Sequence, residues 1–155
     1  MLQRIQSIYL LLSSLAFYAL FLFPLVHNVY VGAKPLTISV TGVYQDVNGE
    51  MALTQSFTLL AIVAAIVGVI PLVIIFLYKN RKRQIMLGYI TVLIIIAFSF
   101  WMTKTAESVM GSIQIDTHTM GIGIFLSTIS LAFMLLAVRA IQRDQKLVKS
   151  ADRLR

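Results

Sequence analysis

Lys79-Asn80-Arg81-Lys82-Arg83 puts four positive charges into five residues, between two long apolar runs at about 55–78 and 84–103. A charge at the centre of a bilayer costs roughly 2.5–3.5 kcal/mol on insertion scales. The basic stretch must therefore stay at a membrane surface while the runs beside it cross. Short loops rich in Lys and Arg stay on the cytoplasmic side. This places the shared end of the two runs inside and fixes the direction of every other segment.

The rest of the chain agrees with a membrane reading. Its 155 residues are 59% hydrophobic and only 12% charged, with a mean hydropathy of +0.88. A soluble domain is roughly 45–50% apolar and about 25% charged. The expected fold is all-α transmembrane, a single domain over residues 1–155 with both termini cytoplasmic. Four spans, at about 5–26, 55–78, 84–103 and 118–138, would form a four-helix bundle. The first run follows Arg4 and is about 22 residues long. A signal-peptide core is roughly 7–15, so despite the small residues Val31-Gly32-Ala33 it reads as an uncleaved span with Pro24 near its outer end.

The net charge of +7 is distributed as a topology signal, not as a nucleic-acid surface. Inside lie Arg4, Lys79, Arg81, Lys82 and Arg83, with a tail (139–155) carrying Arg139, Arg143, Lys146, Lys149, Arg153 and Arg155 against Asp144 and Asp152. These give a formal +9. Outside, Lys34 and Lys104 against Asp46, Glu50, Glu107 and Asp116 give −2. Each basic side chain near an anionic leaflet is worth about 1 kcal/mol. Arg4, Lys79, Arg81, Lys82, Arg83, Arg139 and Arg143 are thus read as setting topology and meeting anionic lipid. No nucleic-acid partner is expected.

Two outer segments break the apolar pattern. In residues 29–53, Leu36, Ile38 and Val40 alternate with Thr37, Ser39 and Thr41, the two-residue period of a half-buried strand. Asp46-Val47-Asn48-Gly49 supplies turn chemistry, and Glu50 to Leu53 would return as a β-hairpin cap. A shorter segment, about 109–116, holds Ser112-Ile113-Gln114-Ile115-Asp116 and suggests one further strand beside it. Within the spans, Ala61, Ala65 and Gly68 form one small-residue seam and Gly123 with Ser127 another, and both would admit a neighbouring helix closely. Pro71 should kink the second span, and Trp101 sits where an interfacial anchor is expected.

The tail mixes charge with an apolar stripe at helical spacing, Leu147, Ala151 and Leu154. A solvated, lipid-facing helix accounts for the basic residues alone. The interruption by acidic and apolar residues points equally to an ordered protein contact made by Asp144, Leu147, Val148, Asp152, Arg153 and Arg155. The opening Met1-Leu2-Gln3-Arg4-Ile5-Gln6-Ser7-Ile8-Tyr9-Leu10 and the closing D-x-x-L-V-x-S-x-D-R-L-R pattern of residues 144–155 resemble a family of small four-span membrane proteins. That family is typical of Bacteroidota and of unknown function. The resemblance implies an inner-membrane location and supplies no activity. In topology alone the chain is also similar to claudins, whose outer-segment Trp and Cys pair are absent here.

Chemistry-bearing residues are few. With no cysteine, thiolate sites and disulfides are excluded. No charged side chain lies mid-span, as an ion-coupled pathway would need. Ser13, Ser14, Thr91, Ser99, Ser127, Thr128 and Ser130 are expected to bond to carbonyls or across helices. His27 and His118, at the outer interface, could join Asp116 or Glu107 on a metal, but the irregular spacing favours two interfacial histidines. Gly121-Ile122-Gly123 is too slight for a phosphate loop. No catalytic, cofactor or metal residue is assigned. The expected role is a non-enzymatic accessory or structural subunit of an inner-membrane or envelope complex, protein export being one process it could serve. The alternative is a lipid or small hydrophobic-ligand binding protein using space beside the kinked second helix.

Overall fold

The computed structural model describes residues 2–31, 34–47, 50–78, 80–110 and 121–153. They form a helical bundle with a small antiparallel sheet at one end. Helix α1 (Leu2–Tyr18) runs into a 3-10 turn (Ala19–Phe21) and then strands β1 (Val26–Val31), β2 (Lys34–Ile38), β3 (Gly42–Val47) and β4 (Glu50–Ser56). Helices α2 (Thr58–Phe76), α3 (Arg81–Met110) and α4 (Ile122–Arg153) follow. Helix α1 packs on α2 and α4, and α3 on the same two. The Phe17 and Phe98 rings meet across the diagonal at 5.3 Å.

Three helices, α2, α3 and α4, are long and apolar enough to cross a membrane. At 1.5 Å per residue, α3 and α4 reach about 45 Å, well past a hydrocarbon core of about 30 Å. The first apolar helix is shorter than its apolar run: it covers Ile5–Phe21, and residues 22–26 leave it. The cause is Pro24, which lacks an N–H and disfavours helical backbone at Phe23. The turn closes with Leu22 and Phe23 N–H both donating to the Ala19 carbonyl.

Helix α3 starts three residues before the expected span and ends seven after it, so residues 104–110, expected in an outer segment, are helical. Helix α4 carries the tail without a break to Arg153. The proposed strand about 109–116 falls on this helix end and on residues outside those described. Helix α2 continues through Pro71, which is buried.

The sheet is a four-stranded meander in order β1-β2-β3-β4, larger than the single hairpin the alternation suggested. Leu36–Ile38 pair with Val43–Gln45, and β4 pairs with β3 from Gly42↔Ser56 to Val47↔Glu50. The extra turn at 39–42 was hidden because Val40 sits within it yet remains fully buried, so the apolar alternation runs on unbroken. Reciprocal bonds between Ser39 and Gly42 close that turn. Leu36, Ile38, Val40 and Val43 turn into the molecule, where they join Phe57 and the helix ends. In β4 the side chains from Met51 to Ser56 are all exposed.

The bundle interior holds Leu10, Phe17, Leu20, Ile74, Ile95, Met134 and Ile141, each essentially closed to solvent. Outward, α2 exposes Leu59, Ile62, Ile66, Val69 and Val73 along one stripe. Such a stripe suits lipid. In lipid the hydrophobic effect does not drive helices together, so close packing and buried hydrogen bonds must hold them.

Candidate functional site

Such bonds engage most of the polar residues inside the apolar helices. Ser13 Oγ donates to the Ser130 carbonyl at 2.9 Å and Ser130 Oγ to the Ser13 carbonyl at 2.8 Å, a reciprocal tie between α1 and α4. Ser14 Oγ donates to the Gly68 carbonyl at 2.8 Å and Tyr18 Oη to that of Ala65 at 3.1 Å. The small-residue seam on α2 is therefore the floor on which Tyr18 lies: a Cβ at Gly68 would meet its ring at 3.0–3.2 Å. Ala64 is fully buried there, while Ala61 and Ala65 are half-buried. Gln6 reaches the Ala140 carbonyl at 3.3 Å, and Gln84 caps the end of α2 at the Ile74 carbonyl at 2.9 Å. Thr91 and Ser99 bond back to carbonyls four residues earlier, and Ser127 to that of Ile124.

At the sheet end the second seam works through its backbone. Gly121 N–H donates to the Leu25 carbonyl at 2.8 Å and Gly123 N–H to that of Pro24 at 3.0 Å. The first turn of α4 thus docks on the strap leaving α1. Gly121-Ile122-Gly123 is a backbone contact between two segments. His27 is half-buried in β1. His118 and Asp116 lie outside the described residues. Among the described residues no three His, Asp or Glu side chains converge.

The opposite end carries the basic residues. Lys82, Arg83, Arg139 and Arg143 are exposed. Arg4 lies in α1 and Asp152 and Arg153 in α4, with side chains outside the described ones, as are Lys79 and Arg155 altogether. Arg81 differs from its neighbours. Its guanidinium lies 3.1 Å from Asp144 Oδ2, a contact between the start of α3 and the tail. Oδ2 is buried and makes no hydrogen bond among the described residues.

Two residues expected to serve separate roles meet here: Asp144, only 8% exposed, is engaged inside the chain by Arg81. The cause is helical phase: position 144 falls on the inward face with Ala137, Val138 and Ile141. Leu147 and Val148, beyond the clasp, are 55% and 41% exposed.

Sequence reasoning missed one further feature of this end. At Gly88 a Cβ would come within 2.6 Å of Val138 Cγ2, so α3 and α4 nearly touch. One turn further toward the basic end they part around a cleft of about 330 Å³ lined by Ile85, Gln142, Gln145 and Lys146. Gln142 Nε2 donates to Tyr89 Oη at 2.8 Å beside it. A lone Gly in a long apolar helix was the available signal.

No curated protein matches the chain. A family model covers almost all of it, residues 2–154, and by that match the chain belongs to the family described as domain of unknown function (DUF4293).

Proposed function

We propose that the protein is a non-enzymatic accessory or structural subunit of a bacterial inner-membrane or envelope complex, with both termini cytoplasmic. The supporting observation is the far end of α4. It stays helical well past the length a bilayer requires and presents Leu147 and Val148 to solvent among charged neighbours. A helix that needs neither residue for its own bundle has an apolar step free for another protein. At the sheet end, the edge strand β4 exposes Met51 and Leu53, a second surface of the same kind. The interior hydroxyls and amides described above are occupied with tying helices together, which suits a scaffold. Service in protein export belongs to this proposal as one setting for such a subunit.

The test is affinity purification of the tagged full chain from its own membrane in mild detergent, beside Leu147→Asp/Val148→Asp. These changes spare the Arg81–Asp144 clasp. Stoichiometric partners that disappear with the variant support a tail-docked subunit. A protein that purifies alone in both samples sinks the reading.

A further inference from the structure

We infer that the cleft between the start of α3 and the tail of α4 is a binding site for a phosphate ester, the headgroup of an anionic phospholipid. The inference rests on the membrane part of the proposed function and not on any protein partner.

The helices approach closely at Gly88 and Val138, and the cleft opens one turn outward, lined by Ile85, Gln142, Gln145 and Lys146. At about 330 Å³ it falls at the lower end of small-molecule sites, roughly 300–1,000 Å³. Its chemistry is that of an anion site. Gln142 and Gln145 bring amide donors and Lys146 an ammonium. Tyr89 Oη accepts from Gln142, which leaves its own proton to donate. By helical phase, Lys82 shares the α3 face of Ile85 and Tyr89, and Arg139 shares the α4 face of Gln142 and Lys146. The carboxylate in this stretch, Asp144, faces the other way and is held by Arg81. Among the described side chains, no carboxylate therefore faces an incoming phosphate.

What favours a lipid over a soluble phosphate is the surface leading away from the cleft. On the same two faces, toward the middle of the spans, come Leu93 and Ile96 of α3 and Leu135 of α4, all exposed. A headgroup seated at Lys146 would have its acyl chains run along this apolar track. Tyr89, half-exposed between the two zones, has the amphipathic character of a headgroup-level ring.

The test uses the full chain purified in mild detergent, stripped of lipid, and titrated with phosphatidylglycerol or phosphatidylcholine under native mass spectrometry. Wild type should hold one phosphatidylglycerol at least about tenfold more tightly than phosphatidylcholine. Gln142→Leu/Lys146→Glu should abolish that preference, and Tyr89→Phe, which keeps the ring, should weaken it several-fold. Lys104→Glu at the opposite end should leave it intact. Equal retention of both lipids, or a preference unmoved by the cleft variants, overturns the site. Equilibrium dialysis with inorganic phosphate separates the sources: no phosphate uptake supports a lipid ligand, and uptake lost in the same variant without lipid preference overturns it in favour of free phosphate. Membrane fractionation of every variant shows separately whether the membrane reading itself has failed.

Discussion

A methyl group added at Gly121 would fall onto the Pro24 carbonyl oxygen and 2.9 Å from Leu25 atoms, all of them backbone. Backbone cannot rotate aside, so the α4 start would have to lift off the strap and strain its two amide bonds. Gly121→Ala should destabilise by about 1–3 kcal/mol, the usual cost of overpacking. Gly68→Ala presses only on the Tyr18 ring and should cost less. Thermal unfolding in one detergent compares them, and equal melting temperatures for Gly121→Ala and wild type would refute the docking. The serine pair offers a second residue-level check. Each hydroxyl of Ser13 and Ser130 serves the other's helix, so the two alanine substitutions should be coupled. A double-mutant cycle should return about 0.6 kcal/mol, the average for hydrogen bonds between membrane helices, and no more than about 1.7; a value near zero would mean that the hydroxyls act independently.

Among the elements, the Arg81–Asp144 clasp decides where the tail of α4 sits relative to α3. Removing one partner leaves the other charge poorly solvated. Arg81→Leu should cost less than the roughly 3–5 kcal/mol of a fully buried pair, because the arginine side chain keeps 26% of its surface in solvent. Arg81→Leu/Asp144→Leu should recover most of that loss. If single and double variants unfold alike, the contact contributes nothing.

This clasp also shows where sequence reading ends. The apolar runs announce the helices because they continue over lengths that only a helix long enough to cross a membrane would fill, and the alternation in 36–40 announces strand because one face is buried. Neither pattern records phase between elements. The inward direction of Asp144 is set by the packing of Ala137, Val138 and Ile141, which no single stretch displays. The turn at 39–42 stayed hidden for the same reason, Val40 being buried by tertiary contact. Gly121 could be read only beside Pro24, about a hundred residues away.

For the whole molecule, the end bearing Arg81, Lys82, Arg83 and the α4 tail lies opposite the end bearing the sheet and the last turns of α3. Ser108 and Ser150 are exposed near these opposite ends. About 27 residues of α3 separate Ser108 from Arg81, roughly 40 Å of helix, more than the hydrocarbon thickness. The two positions should therefore face different compartments. The chain has no cysteine, so Ser108→Cys and Ser150→Cys each introduce one unambiguous label site. With eleven of 13 basic residues assigned inside, a membrane-impermeant maleimide should label Ser108→Cys in intact cells and Ser150→Cys only after permeabilisation. The reverse pattern would invert the protein, put the phosphate-binding cleft and the exposed Leu147–Val148 step outside, and require partners from that side. Labelling of both in intact cells would mean that α3 and α4 do not span together, removing the geometric basis for a membrane subunit.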